Sequence, residues 1–274
     1  MEKLGVVILT WNSQEYMEKC LESIIKITGY DMHVVIVDNG SLDGTCQMVG
    51  NMKVSFEKNK MLCELIKLEV NKGTTISRNI GILKLMDCDW ICILDSDTII
   101  NQWAIDQMIY DLKKKEENGI VGPKMITSSG IIQNSGRHIP TITEKVCKIL
   151  PLKKAKEYAL NYEKCTDVYS TELTPVGYLM SACWMVKREV FEKVGLLDEK
   201  IFYAPEDVEF CIRAWQGGYR VLFDGNVEII HEWQRVSRKK IFSKHNFEHI
   251  KGLLYMFTKY KFLFKADKIE ELIR

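Results

Sequence analysis

The chain has 274 residues, 46% of them hydrophobic and 27% charged, with a formal net charge of +1. That length suffices for one large or two small domains around a buried core, and so small a charge argues against whole-surface attraction to nucleic acid. No apolar run approaches the ~18–20 residues that a membrane span requires. The first residues, Met-Glu-Lys, lead straight into a strand-like run, so no signal peptide is expected. The nine cysteines are odd in number, scattered and without a CxxC pair, which disfavours a zinc site and fits a reducing cytoplasm.

In chain order, Gly5–Leu9 predicts a short buried strand that ends in Thr10-Trp11-Asn12. A helix follows, with Tyr16, Cys20, Leu21, Ile24 and Ile25 on one face and Ser13 as its N-cap. His33–Val37 is a second strand, ending in the polar run from Asp38 to Thr45. Glu64–Val70 is a third, leading past Gly73 to a helix over 75–85 that carries Arg78 and Asn79. Trp90–Leu94 is a fourth strand, followed at once by Asp95-Ser96-Asp97. Two acids one residue apart repel unless a cation sits between them, and Mg²⁺ or Mn²⁺ takes carboxylates together with substrate phosphates. The same tripeptide also reads as a polar turn with Asp95 or Asp97 as a helix N-cap. Strands alternating with helices imply an α/β fold with a doubly wound, mostly parallel sheet. The ends of its strands, at Thr10, Asp38 and Asp95, then converge on one crevice. No GxGxxG follows the first strand and no GxxxxGK[ST] loop occurs, which speaks against dehydrogenase and kinase chemistry.

Beyond Asn101 the pattern changes. A charged helix over 103–117 has an inward stripe of Ile105, Met108, Ile109 and Leu112, and Ile120–Ile126 reads as a strand. Residues 127–174 are polar and broken by Pro140 and Pro151, which predicts a long loop or lid-like insertion. A strand over 176–186 and a helix over 188–194 closed by Gly195 come next. Pro205 then precedes Glu206 and Asp207 at a helix start, where the helix dipole favours acids whatever their function. Strands over 219–223 and 227–230 end at His231, which suits a hydrogen-bonded structural role as well as a ligand. From Arg235 to Lys265 there are nine Lys or Arg and one acid, Glu248. Phe242, Phe247, Ile250, Leu253, Leu254, Phe257 and Tyr260 recur there at helical spacing. One reading packs this stripe on the rest of the protein. The other lays it on an anionic membrane leaflet, with Phe262-Leu263-Phe264 inserting.

Taken together, Val6–Asn12, Val37–Thr45, Asn79 in Ser-Arg-Asn-Ile-Gly-Ile, Leu94–Asp97 and Pro205–Arg213, followed by His231, resemble the family 2 glycosyltransferases of the GT-A fold. The likeness runs from about Val6 to Ser237 and is greatest for bacterial rhamnosyl- and other surface-polysaccharide transferases. It implies a GT-A domain over 1–235, with a nucleotide-binding half (1–100) and an acceptor half (101–235), and a basic, aromatic, helical extension over 236–274. It assigns nucleotide contacts to Thr10, Asn12, Asp38, Arg78 and Asp95, and metal binding to Asp97, Asp95 and His231. The cofactor implied is Mn²⁺ or Mg²⁺. Asp207 becomes the general base, with Glu206 as the alternative. The activity implied is inverting transfer of one sugar from a nucleotide-diphosphate sugar to a glycan or lipid-linked acceptor. The expected place is the cytoplasm, with peripheral membrane contact through 242–265. The QxxRW signature of processive relatives is missing, so single transfers are expected. A sugar-nucleotide pyrophosphorylase and a non-catalytic carbohydrate-binding protein are the rival readings. The first usually carries a Gly-rich, basic loop where this chain has Thr10–Ser13.

Overall fold

The apolar runs of the first hundred residues form parallel strands because each is followed by a helix long enough to cross back over the sheet. In a computed structural model that describes residues 1–165, 171–232, 244–262, 264 and 266–273, these elements are β1 (Lys3–Thr10), α1 (Gln14–Ile25), β2 (Asp31–Asp38), α2 (Thr45–Lys58), β3 (Leu62–Lys67), α3 (Thr74–Lys84) and β4 (Trp90–Asp95). The strands lie in the order β3-β2-β1-β4, all parallel. Alternate residues serve opposite cores. Val6, Ile8, Val34, Ile36, Cys92 and Leu94 face α1 and α2, whereas Val7, Val35, Val37, Ile91 and Ile93 face α3 and the later helices. A sheet covered on both faces explains why these strands are apolar throughout rather than alternating.

The second half continues the sheet with strands of mixed direction. After β4 come β5 (Thr98–Ile99), α4 (Gln102–Lys113), β6 (Asn118–Ile126), β7 (Ile132–Gln133) and β8 (Gly136–Arg137). They are followed by α5 (Ile142–Ile149), α6 (Lys153–Glu163), β9 (Leu173–Pro175), β10 (Tyr178–Leu179), β11 (Cys183–Lys187), α7 (Arg188–Val194), α8 (Glu206–Gln216) and β12 (Arg220–His231). The sheet extends β4-β11-β6-β12-β5, with β11 antiparallel to both neighbours and β12 parallel to β6. This mixed, mostly parallel sheet flanked by helices is the GT-A fold.

Several local expectations shift. Helix α2 has no counterpart in the sequence reading, because Gly50 stands in its middle and only Thr45, Val49 and Phe56 are buried, too sparse a stripe to register. Residues 127–174 are not a bare loop. They hold β7, β8 and the α5–α6 hairpin, with Pro140 and Pro151 standing just outside helix ends as proline favours. The strand expected over 176–186 is two pieces, β10 and β11, while the runs 219–223 and 227–230 are one strand, β12, irregular between Asp224 and Glu228. Ser13 stands at the N-cap of α1 without capping through its side chain. Asn101, not Asp95 or Asp97, caps the next helix, accepting the Ala104 N–H at 2.9 Å. The acid pair is thus left free of a capping role.

Helices α9 (Lys244–Tyr260) and α10 (Asp267–Ile273) complete the chain. Met256, Phe257, Phe262, Ala266 and Ile269 join the core beside α8. Buried Glu209 of α8 accepts from Lys259 Nζ and Tyr260 Oη, both at 2.7 Å, and pairs with Arg213. Gly252 lies flat against the segment before α8, where a Cβ would stand 2.2 Å from the Ala204 carbonyl oxygen. On the other flank Gly73, at φ +86°, meets the Phe202 carbonyl at the same distance, and the Thr74 N–H donates to it at 2.7 Å. The start of α8, with its two acids, is therefore held from both sides. Phe242, Leu263, Lys265 and residues 233–237, which the sequence reading invoked, lie outside the described residues.

Candidate active site

The carboxyl ends of β1, β2 and β4 come level because the strands are parallel and in register, Thr10 beside Asp38 and Leu9 beside Asp95. Thr10 and Asp38 are buried, yet Thr10 Oγ1 and Asp38 Oδ1 have no hydrogen-bond partner among the described residues. The other Asp38 oxygen accepts the Ser41 N–H at 3.0 Å. Buried polar atoms are seldom left unpaired. Two at the ends of adjacent strands suit a polar ligand that completes their bonding. Asn12, in the left-handed region at φ 50°, ties the two adjoining loops together. Its N–H donates to Ser41 Oγ and its Oδ1 accepts the Leu42 N–H, each at 2.8 Å.

Next along the edge stand Asp95, Asp97 and His231, each offering a ligand atom within 4.8 Å of the others. His231 arrives from the far end of the sequence because β5 pairs antiparallel with the last residues of β12, setting His231 opposite Thr98. Its Nε2 lies 3.4 Å from Asp97 Oδ1. Its Nδ1 is 2.7 Å from Gln133 Oε1, and Gln133 Nε2 donates to the His231 carbonyl at 2.8 Å. Because the amide nitrogen is committed to that carbonyl, Gln133 Oε1 must accept from Nδ1–H. The lone pair of the neutral ring is then on Nε2, facing the acids, the tautomer a metal ligand requires. Burial lowers the His231 pKa, but Asp97, then Asp95 and Glu232, outweigh it and raise it. Asp95 is pushed up by burial and by Asp97, against the pull of Arg78. Two carboxylates and an imidazole gathered so closely fit a divalent cation, and the nitrogen donor suits Mn²⁺ better than Mg²⁺. A second grouping, His33, Asp87 and Cys88, lies at the opposite ends of the strands. Its Asp87 pairs with Lys3 and its His33 with Glu64.

Arg78 of α3 is the buried hub of the crevice. Its guanidinium donates to Asp95 Oδ1 at 2.6 Å, Glu206 Oε1 at 3.0 Å, Ser181 Oγ at 2.8 Å and the Ser181 carbonyl at 3.1 Å. It thereby joins the metal-type acids to the start of α8. Glu206 also accepts from Ser181 Oγ at 3.0 Å. Burial and the adjacent Asp207 push its carboxyl up to about 8, against the Arg78 charge. Asp207 differs. It is half-buried, and its one protein bond among those described is from the Val208 N–H to Oδ1 at 2.8 Å. Burial raises its pKa, while that bond, Arg137, Arg78 and Lys145 hold it back. Of the two neighbours, Glu206 is buried and paired with Arg78, whereas Asp207 is half-buried and has no ion pair among the described residues.

The model of the family described as Glycosyl transferase family 2 matches residues 5–195. The chain belongs to that family. An N-acetylglucosaminyl-diphospho-decaprenol L-rhamnosyltransferase of Mycobacterium tuberculosis is 25% identical over 238 residues, 83% of this chain and 75% of its own. Among solved structures, Staphylococcus aureus TarS 1–349 superposes with a TM-score of 0.62 at 16% identity, covering 99% of this chain and 69% of TarS. A mannosyltransferase of Pyrobaculum calidifontis, solved with GDP-Man and Mn²⁺, gives 0.62 at 15% identity, covering 94% and 63%.

In this family 2 glycosyltransferase, Thr10, Asp38, Asp95, Asp97, Arg78, Glu206, Asp207 and His231 all meet along one edge of the sheet. Arg78 lies inward beneath the crevice, where it bonds Asp95, Glu206 and Ser181 while its Nε has no partner among the described residues. Asn12 links its loop to the next through its amide oxygen. Sequence reasoning missed Gln133 and Ser181. Gln133 sits in a two-residue strand and Ser181 in the turn between β10 and β11, neither of which leaves a periodic signal.

Proposed function

We propose that this chain transfers a single sugar from a nucleotide-diphosphate sugar to a hydroxyl of a glycan or lipid-linked acceptor, inverting the anomeric centre. The observation that carries this reading is the edge itself. Thr10 and Asp38 atoms without a partner among the described residues, a cation-type cluster at Asp95, Asp97 and His231, and a half-buried Asp207 carboxylate outside any described ion pair follow one another along it. Thr10 Oγ1 and Asp38 Oδ1 suit the donor and acceptor atoms of a base or ribose. A divalent cation held by Asp97, Asp95 and His231 would supply Lewis-acid neutralisation of the diphosphate leaving group. Gln133 fixes the ring of His231 for that role, and Arg78 holds Asp95 and Glu206 in place.

Asp207 takes the proton from the acceptor hydroxyl as its oxygen bonds to the anomeric carbon and the bond from that carbon to phosphate breaks. One displacement inverts the centre. Glu206 is the weaker candidate for the base, since Arg78 and Ser181 already occupy its Oε1. The solved neighbour bound to GDP-Man and Mn²⁺ and the rhamnosyltransferase relative support the substrate class and the metal. A cytoplasmic setting, with peripheral contact of 242–265 at the inner membrane face, belongs to the same proposal. Among the described residues, no helix is long and apolar enough to cross a membrane.

The test is a panel of sugar nucleotides with Mn²⁺, read first as protection against thermal unfolding and then as release of nucleoside diphosphate. At least one donor should do both, and chelator should remove the release. Protection without release by any donor, with any acceptor fraction, would leave a binding protein.

A further inference from the structure

The expected membrane contact rested on the stripe of residues 242–265, and the structure divides that stripe. Phe257 is buried, and Leu253 and Tyr260 pack against the same core. Phe247, Ile250 and Leu254, at spacings of three and four, form an outer line instead, 67%, 58% and 57% exposed. A second apolar feature stands at the turn between α5 and α6, in the sequence Lys148-Ile-Leu-Pro-Leu-Lys-Lys-Ala-Lys156. Ile149 is 83% and Leu152 60% exposed, and Leu150 between them is exposed as well. Apolar side chains at the tip of a helical hairpin contribute nothing to a core. Clustered this closely, they mark an interaction surface.

The two features are neighbours. Ile142 of α5 and Leu253 and Phe257 of α9 pack into the same core, and burial, then Lys145 and Lys148 of α5, push His249 of α9 down to about 4. Lys148 of α5 and Arg137 of β8 share Glu163, at 2.8 and 2.6 Å, and β8 pairs with β10, which leads to Ser181 at Glu206, so the same helix lies on the Glu206–Asp207 side of the crevice. Charge then selects the partner. Lys145 and Lys148 are paired with Glu144 and Glu163, whereas the tip itself, from Ile149 to Leu160, holds three further lysines and one acid, Glu157. Lys153, Lys154 and Lys156 are exposed around the tip, and Lys251 stands on the outer line of α9 beside Ile250. A ring of lysines around inserted apolar side chains fits an anionic lipid surface, where the stems lie along the acyl boundary and the ammonium groups meet phosphates.

We propose that the α5–α6 tip and the outer line of α9 form one lipid-facing surface that seats the enzyme on an anionic bilayer, with the acceptor side of the crevice next to the membrane. This deepens the acceptor part of the proposed function. It shares no residue with the catalytic edge, so vesicle binding and nucleotide release fail independently.

The experiment is co-sedimentation of the full chain with phosphatidylcholine vesicles, with and without phosphatidylglycerol, at rising salt. Binding is expected only with phosphatidylglycerol and should weaken as salt screens the lysines. The double variant Ile149→Asp/Leu152→Asp and, separately, Phe247→Asp/Leu254→Asp should each lower the partition coefficient by roughly tenfold or more. Lys153→Glu/Lys154→Glu should remove the preference for anionic lipid. Since all six side chains are exposed, unchanged thermal midpoints are expected and serve as the control for folding. Absence of binding to phosphatidylglycerol vesicles at low salt would overturn the proposal, as would binding that the tip variants leave intact. It would also fall if sedimentation velocity showed a dimer of this chain that the tip variants dissolve, for then the surface belongs to a second copy.

Discussion

Thr10, Asp38 and Asp95 reach the crevice by the shortest route a chain allows, each ending an apolar strand that lies beside the next. The other half of the crevice is assembled from afar. His231 meets Asp97 through a two-residue strand, Gln133 reaches His231 from another, and Ser181 and Glu206 meet at Arg78 from opposite ends of β11 and α7. Parallel strands put their carboxyl ends in one place by topology alone. A mixed sheet has no such rule, and each residue must be brought in by its own long-range pairing. The part of the crevice built from β1, β2 and β4 is therefore robust in design, while the part built from His231, Gln133, Ser181 and Glu206 depends on individual bonds.

The largest way to test that contrast is Asp97→Ala, or excess chelator with the native chain. Either removes several kcal/mol of charge stabilisation, so transfer should fall on the order of 10³-fold or more while the strands stay folded. Full turnover in chelator would remove the metal from the account. Arg78→Met attacks the hub that joins the halves. Stripping one partner from a buried ion pair costs about 3–5 kcal/mol, to be read from denaturant unfolding, because buried Glu206 would lose its cation, and half-buried Asp95 would lose it too. A loss under 1 kcal/mol would show that the hub is solvated and that the halves are held by packing.

Gln133→Ala is smaller. Without its acceptor, Nδ1 no longer fixes the imidazole tautomer, and Mn²⁺ affinity measured by calorimetry without substrate should drop roughly tenfold or more. Gln133→Glu, which keeps the acceptor, should retain more of it. Unchanged affinity in the alanine variant would detach His231 from the metal. The mildest concerns β12, where burial, then the bond with Asp111, raises Asp224 from 3.8 to about 7. Its proton is favoured in the folded state, so the stability it contributes is present below 3.8 and lost as pH rises through about 7. Asp224→Asn should flatten thermal stability across that window. A native chain with the same melting temperature at both ends of the window would contradict the shift.

What the sequence made legible follows the same division. The acid pair after Trp90–Leu94 and the Asp after His33–Val37 were readable because an apolar run and its polar end are adjacent in the chain. The stripe of α4 was readable too, and Ile105, Met108, Ile109 and Leu112 are all buried. Helix α2 escaped because Gly50 and an indistinct face hide its period. The α5–α6 hairpin escaped because α5 spans only eight residues between Pro140 and Pro151 and α6 buries Ala159 alone, so neither shows a long inward stripe. Gln133 could not have been found, since nothing local marks a residue whose partner lies 98 positions away.

The central claim is that the edge binds a donor through one set of residues and transfers through another, with Asp207 as the base. Asp207→Asn separates the two most directly, measured as donor affinity by calorimetry with Mn²⁺ beside single-turnover transfer to acceptor. Affinity should stay within a few-fold of the native chain while transfer falls by ~10²-fold or more, and Glu206→Gln should not reproduce that split. Affinity and transfer falling together in Asp207→Asn, or Glu206→Gln alone losing transfer with binding kept, would contradict it.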